Sequence, residues 1–358
     1  MRKIGILTSG GDCQGLNPAI RGVAKALFDT FGKDVKIYGI KDGYKGLIDG
    51  EYEVMEKSAF SGILTMGGTI LGTSRQPYKQ MKIVGDDGVD KVKAMKKNYE
   101  QMGLDCLVIL GGNGTHKTAN LLSIEGLNIV TLPKTIDNDL WGTDVTFGFY
   151  SALDVATDVI DRLHTTATSH GRIFVVEIMG HKAGWLNLYA GVAGGADIIL
   201  IPEIPYDIDK ITDVIDNRTK EGKLFSIVAV AEGALSLEES KMSKKEFKAA
   251  RAENSYFSIG YRVAEEISKK TWHDVRVTVP GHIQRGGSPS PYDRVLSTMF
   301  GTKAAELIKN EKYGYMVGMK NNDVVPVPLS EVAGKLKSVP MDCPVIASAR
   351  SIGVSFGN

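Results

Sequence analysis

The chain has 358 residues, of which 43% are hydrophobic and 24% charged, with a formal charge of +1, values of a globular protein long enough for two domains. So neutral a balance excludes a broad nucleic-acid or anionic-membrane surface, while leaving room for a local basic pocket. The three cysteines, Cys13, Cys106 and Cys343, are odd in number and widely spaced, which argues against a disulfide framework or a zinc site and fits a reducing cytoplasm.

Met1-Arg2-Lys3 leads straight into a short apolar run with no signal peptide, and nothing approaches the length of a membrane span, so the protein is expected to be cytoplasmic. Apolar runs then recur at Ile4–Leu7, Val35–Ile40, Leu104–Leu110, Ile129–Leu132, Ile173–Ile178, Ile198–Ile201 and Phe225–Val230. Each is rich in Ile, Val or Leu and reads as a strand buried on both faces. Phe149, Ala152, Leu153, Ala156, Val159, Ile160 and Leu163 trace one apolar stripe of a helix. Ser236–Thr271 is polar and helix-prone and precedes a strand at Val275–Val279; Val345, Ile346, Ala349 and Ile352 mark a closing helix. This alternation predicts right-handed βαβ units and an α/β fold of doubly wound parallel sheets.

Three of the strands run into chemistry-bearing turns. Ser9-Gly10-Gly11-Asp12 and Gly111-Gly112-Asn113-Gly114-Thr115 are Gly-rich, and Pro133–Asp139 carries Lys134, Thr135, Asp137, Asn138 and Asp139. A tight turn between strand and helix leaves backbone N–H groups for phosphate, and Gly lets the backbone approach it. The Asn113 amide can reach a hydrated metal or phosphate. No Gly-x4-Gly-Lys-Ser/Thr string occurs. In the third loop one carboxylate can take a proton from a sugar hydroxyl while the other orders Mg²⁺. Thr135 can bond a migrating phosphoryl group, with the charge of Lys134 beside it. The plainer readings are a strand-to-helix turn for the second loop and an Asx-rich helix cap for the third.

Arg172, Arg276, His282 and Arg285 form a cationic set suited to a phosphate dianion, although an arginine taken singly is more often a surface ion-pair partner. Glu232, just past a strand, stands where an acceptor for a substrate hydroxyl sits in an α/β sheet, or caps a helix. His116, His164, His170 and His273 have no ligand spacing.

With these motifs in order, joined by Gly67–Arg75 and Val176-Glu177-Ile178-Met179-Gly180, the chain resembles the 6-phosphofructokinase family that uses ATP or pyrophosphate. The resemblance implies two doubly wound domains facing across a cleft, a phosphoryl-donor domain of residues 1–147 plus about 284–334 and a sugar-phosphate domain of 148–283 plus about 335–358. It implies Asp137 as the base on the sugar 1-hydroxyl, with Thr135, Asp139 and Lys134 beside it. Met179, Gly180 and Glu232 would hold the sugar, and His282 and Arg285 would contact the substrate from the same subunit. Arg172 and Arg276 would reach the 6-phosphate from a neighbouring subunit, which implies a homo-oligomer, at least a dimer and by expectation a homotetramer. Gly11, Tyr44, Arg75, Gly112, Asn113, Gly114 and Thr115 would line the donor site, with Mg²⁺ near Asp137 and, through water, Asn113. Three departures stand out: Asn113 replaces the acidic residue usual there, His181 replaces an Arg, and Met66 replaces an effector-binding Arg. Pyrophosphate-using relatives carry Asp at the position of Gly114 and Lys at that of Lys134. Gly114 leaves room for a nucleotide α-phosphate, so ATP is the expected donor, pyrophosphate the alternative, and a sugar-phosphate sensor the non-enzyme alternative.

Overall fold

The computed structural model describes residues 1–84, 88–253 and 256–358. Its first strands are β1 (Arg2–Ser9), β2 (Val35–Ile40), β3 (Tyr52–Met55), β4 (Cys106–Gly111) and β5 (Ile129–Pro133). They are followed by β6 (Ile173–Ile178), β7 (Ile198–Leu200), β8 (Ser226–Ala231) and β9 (Val275–Thr278), then β10 (Tyr315–Lys320) and β11 (Asp323–Pro328). The chain divides into two units.

The first unit comprises Met1–Ile136, Leu140–Ser151 and Arg285–Leu336. Its sheet runs in the order β11-β10-β5-β4-β1-β2-β3. The inner strands pair in parallel, and β4, a run of apolar residues, is buried along its whole length. Leu7, Leu107, Ile109 and Ile129 anchor the core on one face. The sheet is the expected parallel one at its centre, and its two edge strands, β3 and β11, pair antiparallel. Such edge strands need only one buried face. The sequence reading passes over β3, since Tyr52, Glu53 and Val54 are exposed there. It also passes over β10 and β11, which are joined at Asn321 and Asn322, both with positive φ (51° and 66°). That Asn-Asn pair is the hairpin signal the reading did not use.

The second unit comprises Asp137–Asp139, Ala152–Gln284 and Lys337–Asn358. Its sheet, β7-β8-β6-β9, is parallel throughout, with Val175, Leu200, Val228, Val230 and Val263 in its core. The edge strand β9 is only partly buried. The apolar stripe forms the helix Phe149–His170, and the closing helix is Pro344–Ser351. The polar stretch after Ser236 becomes the helices Leu237–Ser240, Lys244–Glu253 and Ile259–Ser268. They are tied together by buried Glu239, which meets Arg251 at 2.7 Å and Arg262 at 2.6 Å.

Residues 137–139, numbered within the 1–147 segment expected of the donor domain, belong to the second unit. There the Lys337 N–H donates to Asp139 O at 2.8 Å and Lys337 Nζ to Asn138 Oδ1 at 2.9 Å.

Candidate active site

In the first unit, strand register sets the site. Ser9 pairs with Gly111, and Gly111 with Pro133, so the three predicted loops leave the carboxyl edge of the sheet at one level. Side chains at Gly111 are forbidden, since a Cβ there would lie 2.3 Å from Thr115 Cγ2. Thr115 can therefore turn back over the strand end, where its hydroxyl donates to Ser9 O at 3.3 Å. The loop then opens the helix Asn113–Ile124, whose first N–H groups have no side-chain cap and so point out as anion donors.

Cations converge on the first loop. Lys134 is buried, with its N–H on Gly111 O (3.0 Å) and its ammonium donating to Gly11 O. A Cβ at Gly11 would lie 2.9 Å from Arg285 Nη1 and 3.6 Å from Arg75 Nη2, so both guanidiniums stand over this glycine. Arg285 also donates to Asp12 O at 3.1 Å, and its Nε is buried without a partner. Neither arginine meets a carboxylate among the described residues. The Gly67–Arg75 segment straps the loop in place: Gly10 N–H donates to Ser74 O (3.0 Å) and Thr73 Oγ1 to Gly10 O (2.7 Å).

Other expected donor residues sit differently. Tyr44 does not line an open surface. It is fully buried, its hydroxyl donates to Thr115 O at 2.9 Å, and burial holds that hydroxyl well above the usual tyrosine range. It supports the loop from below. Asn113 turns its amide onto Lys335 O at 2.7 Å, leaving Oδ1 buried without a partner. Gly112 is half-buried, and Gly114 faces open space with nothing within 4 Å of a Cβ. His116, given no role by its spacing, braces the loop through Nδ1 on Gly112 O (2.9 Å), and burial pushes its imidazole down to about 4. Cys13 is buried beside the loop, its thiol pushed up to about 12 by burial. Thr135 is buried, and its carbonyl accepts from Thr146 Oγ1 at 2.7 Å.

The second unit has its own loop cluster. Ile178 pairs with Ala231, so Met179-Gly180-His181 and Glu232 leave β6 and β8 together. The Glu232 carboxylate accepts from the N–H groups of Gly180 (3.2 Å) and His181 (2.5 Å), which fixes its direction. His181 holds a positive φ of 52°. Gln284, to which the sequence assigns no role, accepts the Met179 N–H on its Oε1 at 3.2 Å. Asp139 and Asn138 are buried and Asp137 half-buried. His282 is exposed. Arg172 and Arg276 both clasp Asp274, each at 2.8 Å, at the opposite end of β6 from Met179. The structure thus brings Glu232, Met179 and Gly180 together and sets those two arginines apart.

The phosphofructokinase family model matches residues 3–308. The chain belongs to the phosphofructokinase family. Among curated phosphofructokinases it is 59% identical to the ATP-dependent 6-phosphofructokinase of Spirochaeta thermophila, covering 100% of this chain and 98% of that one. It is 49% identical to ATP-dependent 6-phosphofructokinase 3 of Bacteroides thetaiotaomicron, covering 99% and 100%. Among solved structures, the phosphofructokinase of Saccharomyces cerevisiae shares 32% identity with a TM-score of 0.78 over 92% of this chain, which spans only 45% of that one. A pyrophosphate-dependent phosphofructokinase from Nitrosospira multiformis, 20% identical with a TM-score of 0.80 over 95% of this chain and 86% of that one, shares the fold. Among the described residues no helix is long and apolar enough to cross a membrane.

Proposed function

We propose that this phosphofructokinase transfers the γ-phosphoryl group of ATP to the 1-hydroxyl of fructose 6-phosphate, giving fructose 1,6-bisphosphate and ADP. The observation that carries this reading is the gathering of Arg75, Arg285 and the Lys134 ammonium on Gly11, at the level where three glycine-bearing or acidic loops leave the sheet. An excess of cations over bare backbone N–H groups is what a polyphosphate needs, and phosphoryl transfer asks mainly for positioning and charge. The names of the curated relatives support ATP as the donor.

In this reading Asp137 takes the proton of the attacking hydroxyl, Thr135 and Lys134 meet the migrating phosphoryl group, and Asp139 is the second acid. Glu232, already aimed by two N–H donors, accepts from the sugar, with Met179 and Gly180 beside it. His282 answers its phosphate, whereas Arg285, expected beside it, stands over the donor loop at Gly11. Bound Mg²⁺ would neutralise charge on the donor phosphates. Among the described residues no three His, Cys, Asp or Glu side chains gather as a metal cage, and Mg²⁺ asks only for one or two carboxylates plus phosphate and water. Asp137 suits it as a carboxylate, and the partnerless Asn113 Oδ1 suits a metal-bound water.

Arg172 and Arg276 bear on assembly. Arg172 precedes Ile173 and Arg276 pairs with Phe174, so at about 3.3 Å per residue they stand about 13 to 20 Å along β6 from Ile178, with both guanidiniums tied to Asp274 instead of the sugar loops of their own chain. A second copy would bring them, making the enzyme a homo-oligomer with shared sites, working on soluble metabolites of the cytoplasm.

Pyrophosphate as donor is the second reading, favoured by Lys134 within the phosphate loop. Initial rates with fructose 6-phosphate and Mg²⁺, run with ATP and with pyrophosphate, separate them. Faster turnover with ATP supports Gly114 as the position that admits the nucleotide; faster turnover with pyrophosphate refutes it. No turnover with either refutes the kinase reading and favours the sensor.

A further inference from the structure

We propose that Lys337 is a positioning residue for phosphoryl transfer, holding the Asp137–Asp139 loop in its reactive conformation. The proposal deepens the reading above and rests on it.

Lys337 lies about two hundred positions away in sequence, beyond the end of the family match at residue 308, and no motif singles it out. It grips the acidic loop at two points. Its ammonium donates to Asn138 Oδ1 at 2.9 Å, and its own N–H donates to Asp139 O at 2.8 Å. Asn138 is the residue between the two carboxylates, it is buried, and it holds a φ of 51°. Asn enters that left-handed region more readily than other non-glycine residues, and a polar partner on its short side-chain amide holds it there. The side-chain amide of Asn138 is the handle by which Lys337 fixes it, through a bond strengthened by the ammonium charge.

Lys337 is itself held. Its carbonyl accepts from Trp185 Nε1 at 2.9 Å, and its ammonium lies 5.5 Å from the centre of the Trp185 ring. Trp185 opens the helix Trp185–Ala193, which packs on the second sheet. The chain of contacts therefore runs from a rigid helix through Trp185 and Lys337 to the residue that sets the spacing of Asp137 and Asp139. The ammonium also places a positive charge next to a segment carrying two carboxylates, reducing the repulsion that would open it.

A residue acting this way should change the rate of the chemical step and leave substrate affinity alone. The experiment is steady-state kinetics of the full-length enzyme with ATP, Mg²⁺ and fructose 6-phosphate, on wild type, Lys337→Met, Lys337→Arg, Asn138→Gly and the double variant Lys337→Met/Asn138→Gly. Small misplacement of reacting groups costs on the order of 100-fold, so Lys337→Met is expected to lose about that much kcat with both KM values within about threefold. Lys337→Arg, which keeps charge and donors, is expected to recover most of the loss. Asn138→Gly keeps the backbone conformation and removes the handle. Adding Lys337→Met to it should then cost much less than Lys337→Met costs alone, because coupled residues are not additive. The Asn138→Gly background also reads the proposal if Lys337→Met alone folds poorly. Lys337→Met with unchanged kcat, a loss confined to KM, or fully additive effects would overturn it. An inactive wild type would instead refute the proposed reaction, and so is a distinguishable failure.

Discussion

Replacing Gly114 by Asp tests how the donor is chosen. The position is exposed, a Cβ there meets nothing within 4 Å, and it is the second residue of the helix Asn113–Ile124. The substitution therefore creates no clash. A carboxylate in a first helical turn is favoured by about 0.3–1 kcal/mol, so the melting temperature should hold or rise slightly. The cost falls on the nucleotide. A carboxylate about 6 Å from one phosphate charge, at an effective dielectric of about 20, repels it by about 3 kcal/mol. Solvent at this exposed site cuts that to about 1.5 kcal/mol, and two phosphate charges bring it back to about 3 kcal/mol, or about 100-fold in kcat/KM. The assay is kcat/KM for ATP and for pyrophosphate, at saturating fructose 6-phosphate, beside a thermal melt. The expected result is a selective loss of about 10- to 100-fold with ATP in a protein as stable as wild type. A variant that keeps its ATP kcat/KM within threefold would refute the reasoning, since charge at this position would then not act on the nucleotide.

Three further outcomes are expected. Tyr44→Phe deletes the bond to Thr115 O and nothing else, so it should lose about 1 kcal/mol in urea unfolding and a few-fold in kcat/KM for ATP; unchanged stability would mean that the hydroxyl does not brace the loop. Arg276→Ala and Asp137→Ala should each be inactive alone, and mixed subunits should regain activity if one chain lends Arg276 to another chain's Asp137; no recovery on mixing and reassembly would refute shared sites. His116, buried and pushed down to about 4 from its ordinary 6.5, binds a proton in the unfolded chain before the folded one. Its contribution is complete above pH 6.5 and is lost as pH falls from 6.5 toward 4, by up to about 3 kcal/mol. Unfolding free energies at pH 7 and 5 should therefore differ less in His116→Asn than in wild type, and an equal pH slope would refute the assignment.

Most of the strand positions could be read from the sequence because buried parallel strands are rich in Val, Ile and other apolar residues, as in Val35–Ile40 and Ile173–Ile178, which match β2 and β6 residue for residue. The edge strands β3 and β11 could not, because only one residue of each is buried, β3 is four residues long, and two prolines interrupt the apolar pattern of β11. The loops that carry the chemistry were legible for a related reason. Glycine at Gly111 is demanded by a contact made four residues later, at Thr115, and such local demands leave a local pattern.

What sequence could not determine is who stands beside whom. Arg75 and Arg285 are 210 positions apart, and only the folded first unit brings both over Gly11. Glu232 and Gly180 are joined by the register of β6 with β8, and Arg172 and Arg276 are separated from them by the length of a strand. Tyr44 and Asn113 keep the residue types expected of a donor site, but burial and hydrogen bonding commit the Tyr44 hydroxyl and the Asn113 amide N–H to the protein itself. Residue type and local spacing specify which chemistry is possible. Pairing register and burial, which depend on residues hundreds of positions away, decide which side chains carry it out and which hold them in place.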